Sequence, residues 1–217
     1  MGLAGRVLFI LGVLSCLAAA ATLPLRYPPV EGSAADIPRR GTTLGLLLSQ
    51  RGLVALALVC MLGAVGESVA NLWSVIYLHE QGAGALLGGA MLVGRLVNAP
   101  LLNRLGPRAS LLVSGAGLIL AAILLLLPGG VPLAIAAFML LGLAVAGVVP
   151  TVFTAAARLA PGQSGAIAGG ILAAVYLSFM VTPPVIGWLA EFFSLQAALL
   201  TVGLSGLGML WLARGVE

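Results

Sequence analysis

Seven apolar runs follow one another along the chain, at Val7–Leu25, Gly52–Leu78, Gly82–Leu102, Ser110–Leu127, Val131–Ala157, Gly165–Ala190 and Ser194–Ala213. A helix needs about 20 mostly apolar residues to cross the hydrocarbon core of a bilayer. Each run meets that length or comes close to it, and none keeps a polar face, which is the pattern of a spanning helix. Strands of a membrane barrel would be about ten residues long with alternating polarity. The pattern therefore predicts an all-α fold, a polytopic membrane helix bundle of about seven transmembrane helices.

The breaks between the runs are short and rich in turn residues, as in LPGGVP (Leu127–Pro132) and APGQSG (Ala160–Gly165). The exception is Arg26–Arg51, polar and proline-rich, which reads as a linker. Within it, Thr43–Gln50 has the composition of a short surface helix. Three regions follow: a first transmembrane helix in residues 1–25, a linker in 26–51, and a six-helix bundle in 52–217.

Charge then orients the bundle. All ten basic residues are arginine. Arg26, Arg39, Arg40 and Arg51 lie in the linker, Arg104 and Arg108 two spans later, Arg158 two spans after that, and Arg214 beyond the last span. These are alternate connections, so they share one side. The bias of arginine toward cytoplasmic loops puts the linker and the C-terminus in the cytoplasm of a cell-membrane protein. An odd number of spans leaves the N-terminus outside. Val7–Leu25 has a second reading, because Arg6 followed by an apolar run resembles a secretory signal, with VLSC (Val13–Cys16) as a poor cleavage site. Cleavage there would deliver the basic linker to the outside, against the charge bias.

Composition agrees with the pattern. The 217 residues are 61% hydrophobic and 7% charged, where a soluble domain carries about 25% charged residues. The net charge of +4 does not indicate nucleic acid, because the arginines fall between apolar runs instead of clustering on one face. Cys16 and Cys60 lie inside apolar runs and read as small packing residues. No Walker loop, HExxH or serine-histidine-aspartate set is present, and His79 and Glu80 have no second His or Cys near them in sequence. Neither an enzyme, a cofactor nor a metal site is expected.

The second run contains Glu67, the one carboxylate well inside any run, with Asn71 and Ser74 four and seven residues on. At 100° per residue the three fall within about 60° of each other. Such a stripe faces protein or a wet cavity. It reads either as a solute or proton path or as hydrogen-bonding glue between helices. Trp73 and Tyr77 lie on a neighbouring face, suited to the aromatic belt of a membrane protein or to stacking on a ring-shaped solute. Tyr176 and Ser178 are mid-run polar candidates in the sixth run.

Pro150 in the fifth run, and Thr182-Pro183-Pro184 in the sixth, are expected to kink or break their helices and act as hinges. Gly165 and Gly169 form a GxxxG pair, expected to seat a neighbouring helix.

GRLVNAPLLNRLGPR (Gly94–Arg108) joins the third and fourth runs. Gly106 permits a sharp reversal and Pro107 prevents the chain from simply continuing a helix. Arg104 and Arg108 suit the headgroups of an anionic inner leaflet. Arg95 lies about 14 Å before Arg104 along a helix axis, where it either snorkels or faces a wet interior.

Asn103-Arg104-Leu105-Gly106-Pro107-Arg108 resembles the end of the Gly-x-x-x-Asp-Arg-x-Gly-Arg/Lys-Arg turn of the major facilitator superfamily (MFS). Gly94–Leu96, VVPTVFTAAARLAPGQSGAIAGG (Val148–Gly170) and Pro183–Glu191 are similar to a bacterial sugar-permease-like branch. The resemblance covers about Gly52 to Leu212 and implies the C-terminal half of such a transporter, preceded by its sixth helix and central loop. It implies secondary-active transport of a small polar, sugar-like solute by alternating access. Partners would be the lipid bilayer, the solute, and either an N-terminal half-bundle or a second copy of this chain. Drug or metabolite efflux, and a non-transporting scaffold or gene remnant, are the alternatives. The family's Asp is Asn103 here and its first Gly is Ala99, so a cytoplasmic latch built on this turn would be weakened. The branch's acidic residue before Trp-Ser in the second run appears as Leu72, which argues against proton coupling through it.

Overall fold

The computed structural model describes residues 43–80, 105–159 and 163–215. Every regular element among these residues is helical. The runs at Val7–Leu25 and Gly82–Leu102 lie outside the described residues. The other five correspond to stretches long and apolar enough to cross a membrane: Arg51–His79, Pro107–Leu126, Gly130–Leu159, Ser164–Phe192 and Leu195–Ala213. The bundle is therefore an all-α, multi-pass membrane fold.

A short helix α1 (Thr43–Ser49) precedes the bundle and buries Leu47. The first described span is α2 (Arg51–Ser68), a π-helical turn (Val69–Trp73) and α3 (Ser74–Glu80). Then come α4 (Pro107–Leu126), α5 (Gly130–Ala146), α6 (Val148–Leu159) and α7 (Ser164–Phe192). The last span is a single turn, α8 (Leu195–Ala198), followed by α9 (Thr201–Ala213). Gly106 caps α4 with φ 74°, a backbone region that only glycine adopts without strain, and Pro107 opens the helix. Arg108 is exposed in the first turn. Gly94, Arg95, Asn103 and Arg104 lie outside the described residues.

Glycines let the backbones approach. A Cβ at Gly206 would fall 2.6 Å from the Gly115 carbonyl oxygen, so α4 and α9 touch main chain to main chain. Along α2, Gly52, Gly63 and Gly66 meet the side chains of Leu159, Val148 and Val145 in turn. That reversed order makes α2 antiparallel to α6 and to the C-terminal end of α5. Phe138, Leu141, Leu118 and Leu56 are among the fully buried side chains of the core. The GxxxG pair behaves otherwise than expected: a Cβ at Gly165 or Gly169 meets nothing within 4 Å among the described residues.

The prolines divide into two cases. The fifth run is interrupted, but at Gly147, with Pro150 in the first turn of α6. A proline ring at 150 clashes with the carbonyl four residues back, which belongs to Ala146, the last residue of α5. Gly147, with φ −95° and ψ −7°, separates the two helices, and the Thr151 N–H bonds the Gly147 carbonyl at 3.1 Å to restart the helix. Pro183 and Pro184, expected to break the sixth run, instead lie inside the continuous 29-residue helix α7. Together they remove only the bonds to the carbonyls of Phe179 and Met180. Unwinding the helix in hydrocarbon would strand more backbone groups than that.

The register places Arg51, Arg108, Arg158 and Arg214, all exposed, at one end of the bundle. Tyr77, the Leu127–Gly130 turn and Gln196 lie together at the other end. Trp188 and Phe192 at the C-terminal end of α7 are exposed and in ring contact, with centroids 4.9 Å apart. Their place at a span end suits an aromatic belt.

Candidate functional site

Glu67 opens onto a cavity of about 420 Å³ between three of the spans. Val145 and Ala146 at the end of α5 and Val149 at the start of α6 form one wall. Leu172, Val175, Tyr176 and Phe179 of α7 form the other. Glu67 is half-buried, and it follows Gly66, whose missing side chain lets Val145 and Leu118 close in beside it. The break at Gly147 lies on the same wall, so the cavity has one helix discontinuity in its lining. Tyr176 is 68% exposed, which leaves the cavity open on its side.

The structure brings Glu67 and Tyr176 together and disperses the other residues singled out in the sequence. The cause is the π-helical turn. The Ser74 N–H bonds the Val69 carbonyl, five residues back. The Ser74 hydroxyl donates to the Ala70 carbonyl at 2.5 Å, the acceptor that an α-helix would assign to the Ser74 N–H. The side chain thus satisfies the group that the π turn would strand. One extra residue in the turn moves everything after it by about 100°, so Ser74 lies roughly 120° from Glu67 instead of 20°. Ser74 is fully buried and Asn71 is exposed. The expected stripe is therefore corrected at Ser74, which leaves the face of Glu67; Asn71, four residues from Glu67 and ahead of the completed shift, is exposed and not among the residues lining the cavity.

Trp73, also in the π turn, is half-buried. A Cβ at Gly187 of α7 would come within 3.6 Å of its ring. Its buried indole N–H has no hydrogen-bond acceptor among the described residues. Tyr77 packs edge-on against Phe138, with centroids 5.8 Å apart. It lines a separate cavity of about 190 Å³ beside the Leu127–Gly130 turn, where the Gln196 amide donates to the Leu125 carbonyl. Tyr77 and Tyr176 consequently serve different cavities.

A further gap of about 280 Å³ lies between α2 and α7, lined by Met61, Val65, Leu177 and Thr182 among others. Beside it the Ser178 hydroxyl donates to the Met61 carbonyl at 2.9 Å and ties the two helices. Cys60 is fully buried in the core.

Phe179, Val175 and Leu172 are site residues that the sequence did not single out. They are three or four positions from Tyr176 or from one another, so they occupy one face of α7. The signal was present once Tyr176 was chosen. The contributions of Val145 and Val149 depend on the packing of α5 and α6 against α2 and had no local signal.

The chain matches the family model of the Major Facilitator Superfamily over residues 3–169 and 83–216. It is 30% identical over 170 residues to an uncharacterized transporter, y4wD, of Sinorhizobium fredii, covering 74% of this chain and 45% of that protein. The fold is similar to the crystal structure of the E. coli fucose:proton symporter FucP, with a TM-score of 0.72 and 18% identity over 96% of this chain and 54% of that one. The chain thus spans about half the length of the proteins it matches.

Proposed function

The chain belongs to the Major Facilitator Superfamily, and from that premise we propose that it forms one half of an alternating-access pathway for a small organic solute. The observation that carries this reading is Glu67. A carboxylate inside a spanning helix is costly and is placed where a solute, ion or proton uses it. Here it opens onto a cavity between helices instead of facing lipid. The cavity is open on the Tyr176 side, so a second bundle completes the enclosure, either an N-terminal half-bundle or another copy of the chain. The arginine-rich end faces the cytoplasm of the cell membrane.

A sugar-like solute is the class that the name of the E. coli neighbour, a fucose:proton symporter, puts forward. A drug-like or metabolite solute is favoured by the walls, which are apolar apart from Glu67 and the Tyr176 hydroxyl.

Thiol accessibility tests the pathway without knowledge of the solute. In a background lacking Cys16 and Cys60, Val149→Cys and Leu172→Cys should react with a membrane-impermeant maleimide in intact or inverted vesicles. Leu120→Cys, exposed on the outer face of α4, should not. Reaction at none of the three positions, or at all three alike, would remove the water-filled pathway. Tags at Gly41 and at the tail should label only from the cytoplasmic face.

A further inference from the structure

We propose that the solute of the Glu67 cavity is an organic cation, an apolar body bearing one protonated or quaternary nitrogen, and not a neutral sugar. The inference rests on the transport reading for what happens after binding and on the cavity walls for the chemistry. Among the described residues lining the cavity, Glu67 is the one charged group. Two aromatic rings, Tyr176 and Phe179, lie three positions apart on the opposing face of α7. The rest of the lining is aliphatic.

A neutral sugar presents hydroxyls all around its ring. Against this wall most of those facing the chain would lose water and gain no partner, and each unpaired polar group costs about 1–3 kcal/mol. Sites that select hydroxylated solutes do so with several placed donors and acceptors. This wall has one carboxylate and one phenol. An organic cation reverses the balance. Its hydrocarbon body is matched by Val145, Val149 and Leu172. Its charge is matched by Glu67, and its N-alkyl or N–H edge by the ring faces, which attract cations. The volume of about 420 Å³ admits a body of one or two rings.

Two readouts separate this inference from the transport reading. The full chain in lipid nanodiscs is tested for equilibrium binding of benzyltrimethylammonium, of its neutral carbon isostere neopentylbenzene, and of L-fucose. The cation should bind at least tenfold more tightly than the isostere. Glu67→Gln should abolish that difference and leave binding of the isostere unchanged, which also shows that the variant is folded. Tyr176→Leu should weaken cation binding about two- to fivefold, and Tyr176→Phe should not. Equal binding of cation and isostere, a preference that survives Glu67→Gln, or binding of L-fucose in place of the cation would each overturn the proposal. Uptake of the cation into proteoliposomes is the second readout. Binding without uptake would overturn the transport reading and uphold the solute class.

Discussion

The contact between Gly115 and Gly206 fixes how near α4 and α9 lie, and Gly206→Ala tests it directly. The added Cβ would sit 2.6 Å from the Gly115 carbonyl oxygen and 2.9 Å from both Ile119 Cγ1 and Leu118 Cβ. Ordinary van der Waals contact begins at 3.4 Å, so the helices must separate by about 0.8 Å to admit one methyl group. The obstructing atoms are a backbone oxygen and the first carbon of a side chain, and neither can swing aside. Overpacking of this kind costs about 1–3 kcal/mol, and the rigid surroundings put this case at the upper end. Against it, alanine gains up to about 1 kcal/mol over glycine in a helix interior. The net loss should be about 2 kcal/mol, or roughly 4–8 °C in melting temperature for a chain of this size. The assay is thermal unfolding of purified protein in detergent, followed by loss of the monodisperse elution peak. Gly165→Ala and Gly169→Ala are the controls. Among the described residues both positions have empty space around the added Cβ, so the helix-propensity gain should stand alone and the melting temperature should hold or rise slightly. Equal losses at Gly206 and Gly165, or none at Gly206, would refute the backbone-contact argument.

Further outcomes follow from the same geometry. Ser74→Ala removes the hydroxyl that satisfies the Ala70 carbonyl and should cost about 1–3 kcal/mol; Ser74→Thr should restore most of it, as read by chemical denaturation. Replacing Trp73 with benzothienylalanine keeps the ring shape and removes the unpartnered N–H. Stability should hold or rise by about 1 kcal/mol in the same assay, because no hydrogen bond is lost. Gly106→Ala meets no neighbour within 4 Å among the described residues, yet φ 74° with ψ 164° should cost it about 1–3 kcal/mol through the backbone alone. Ser178→Ala breaks the bond to the Met61 carbonyl and should cost about 0.6 kcal/mol, the average for bonds between membrane helices.

Long periodic or all-apolar features were legible in the sequence, and local departures from ideal geometry were not. The five described spans coincide with their apolar runs because length and apolarity are set residue by residue. Gly106 and Pro107 were legible as a turn because each has a backbone constraint of its own. Glu67 was legible because a carboxylate in an oily run has few explanations. The stripe lost Ser74 because it assumed a constant 100° per residue through a π turn. Nothing in VANLW (Val69–Trp73) marks that turn; the signal lay one residue further on, in a serine able to bond back to its own helix. The fate of the prolines depended on context. Pro150 had Gly147 three positions before it, where the chain could bend, and Pro183 and Pro184 had no glycine in the preceding turn. The space left by the described residues at Gly165 and Gly169 could not be read from a motif, because GxxxG states a capacity for approach and not the presence of a neighbour.

The open flank beside Tyr176 separates two kinds of selectivity. The acid and the rings belong to this chain, so on the proposed reading the sign of charge accepted would be decided here. On the proposed pathway the far side of the chamber would be supplied by the second bundle, which would decide the outline and bulk that can enter. Two bundles sharing the task in this way would be free to diverge at different rates: one could be reshaped to admit longer or branched molecules without disturbing the preference for positive ones held by the other.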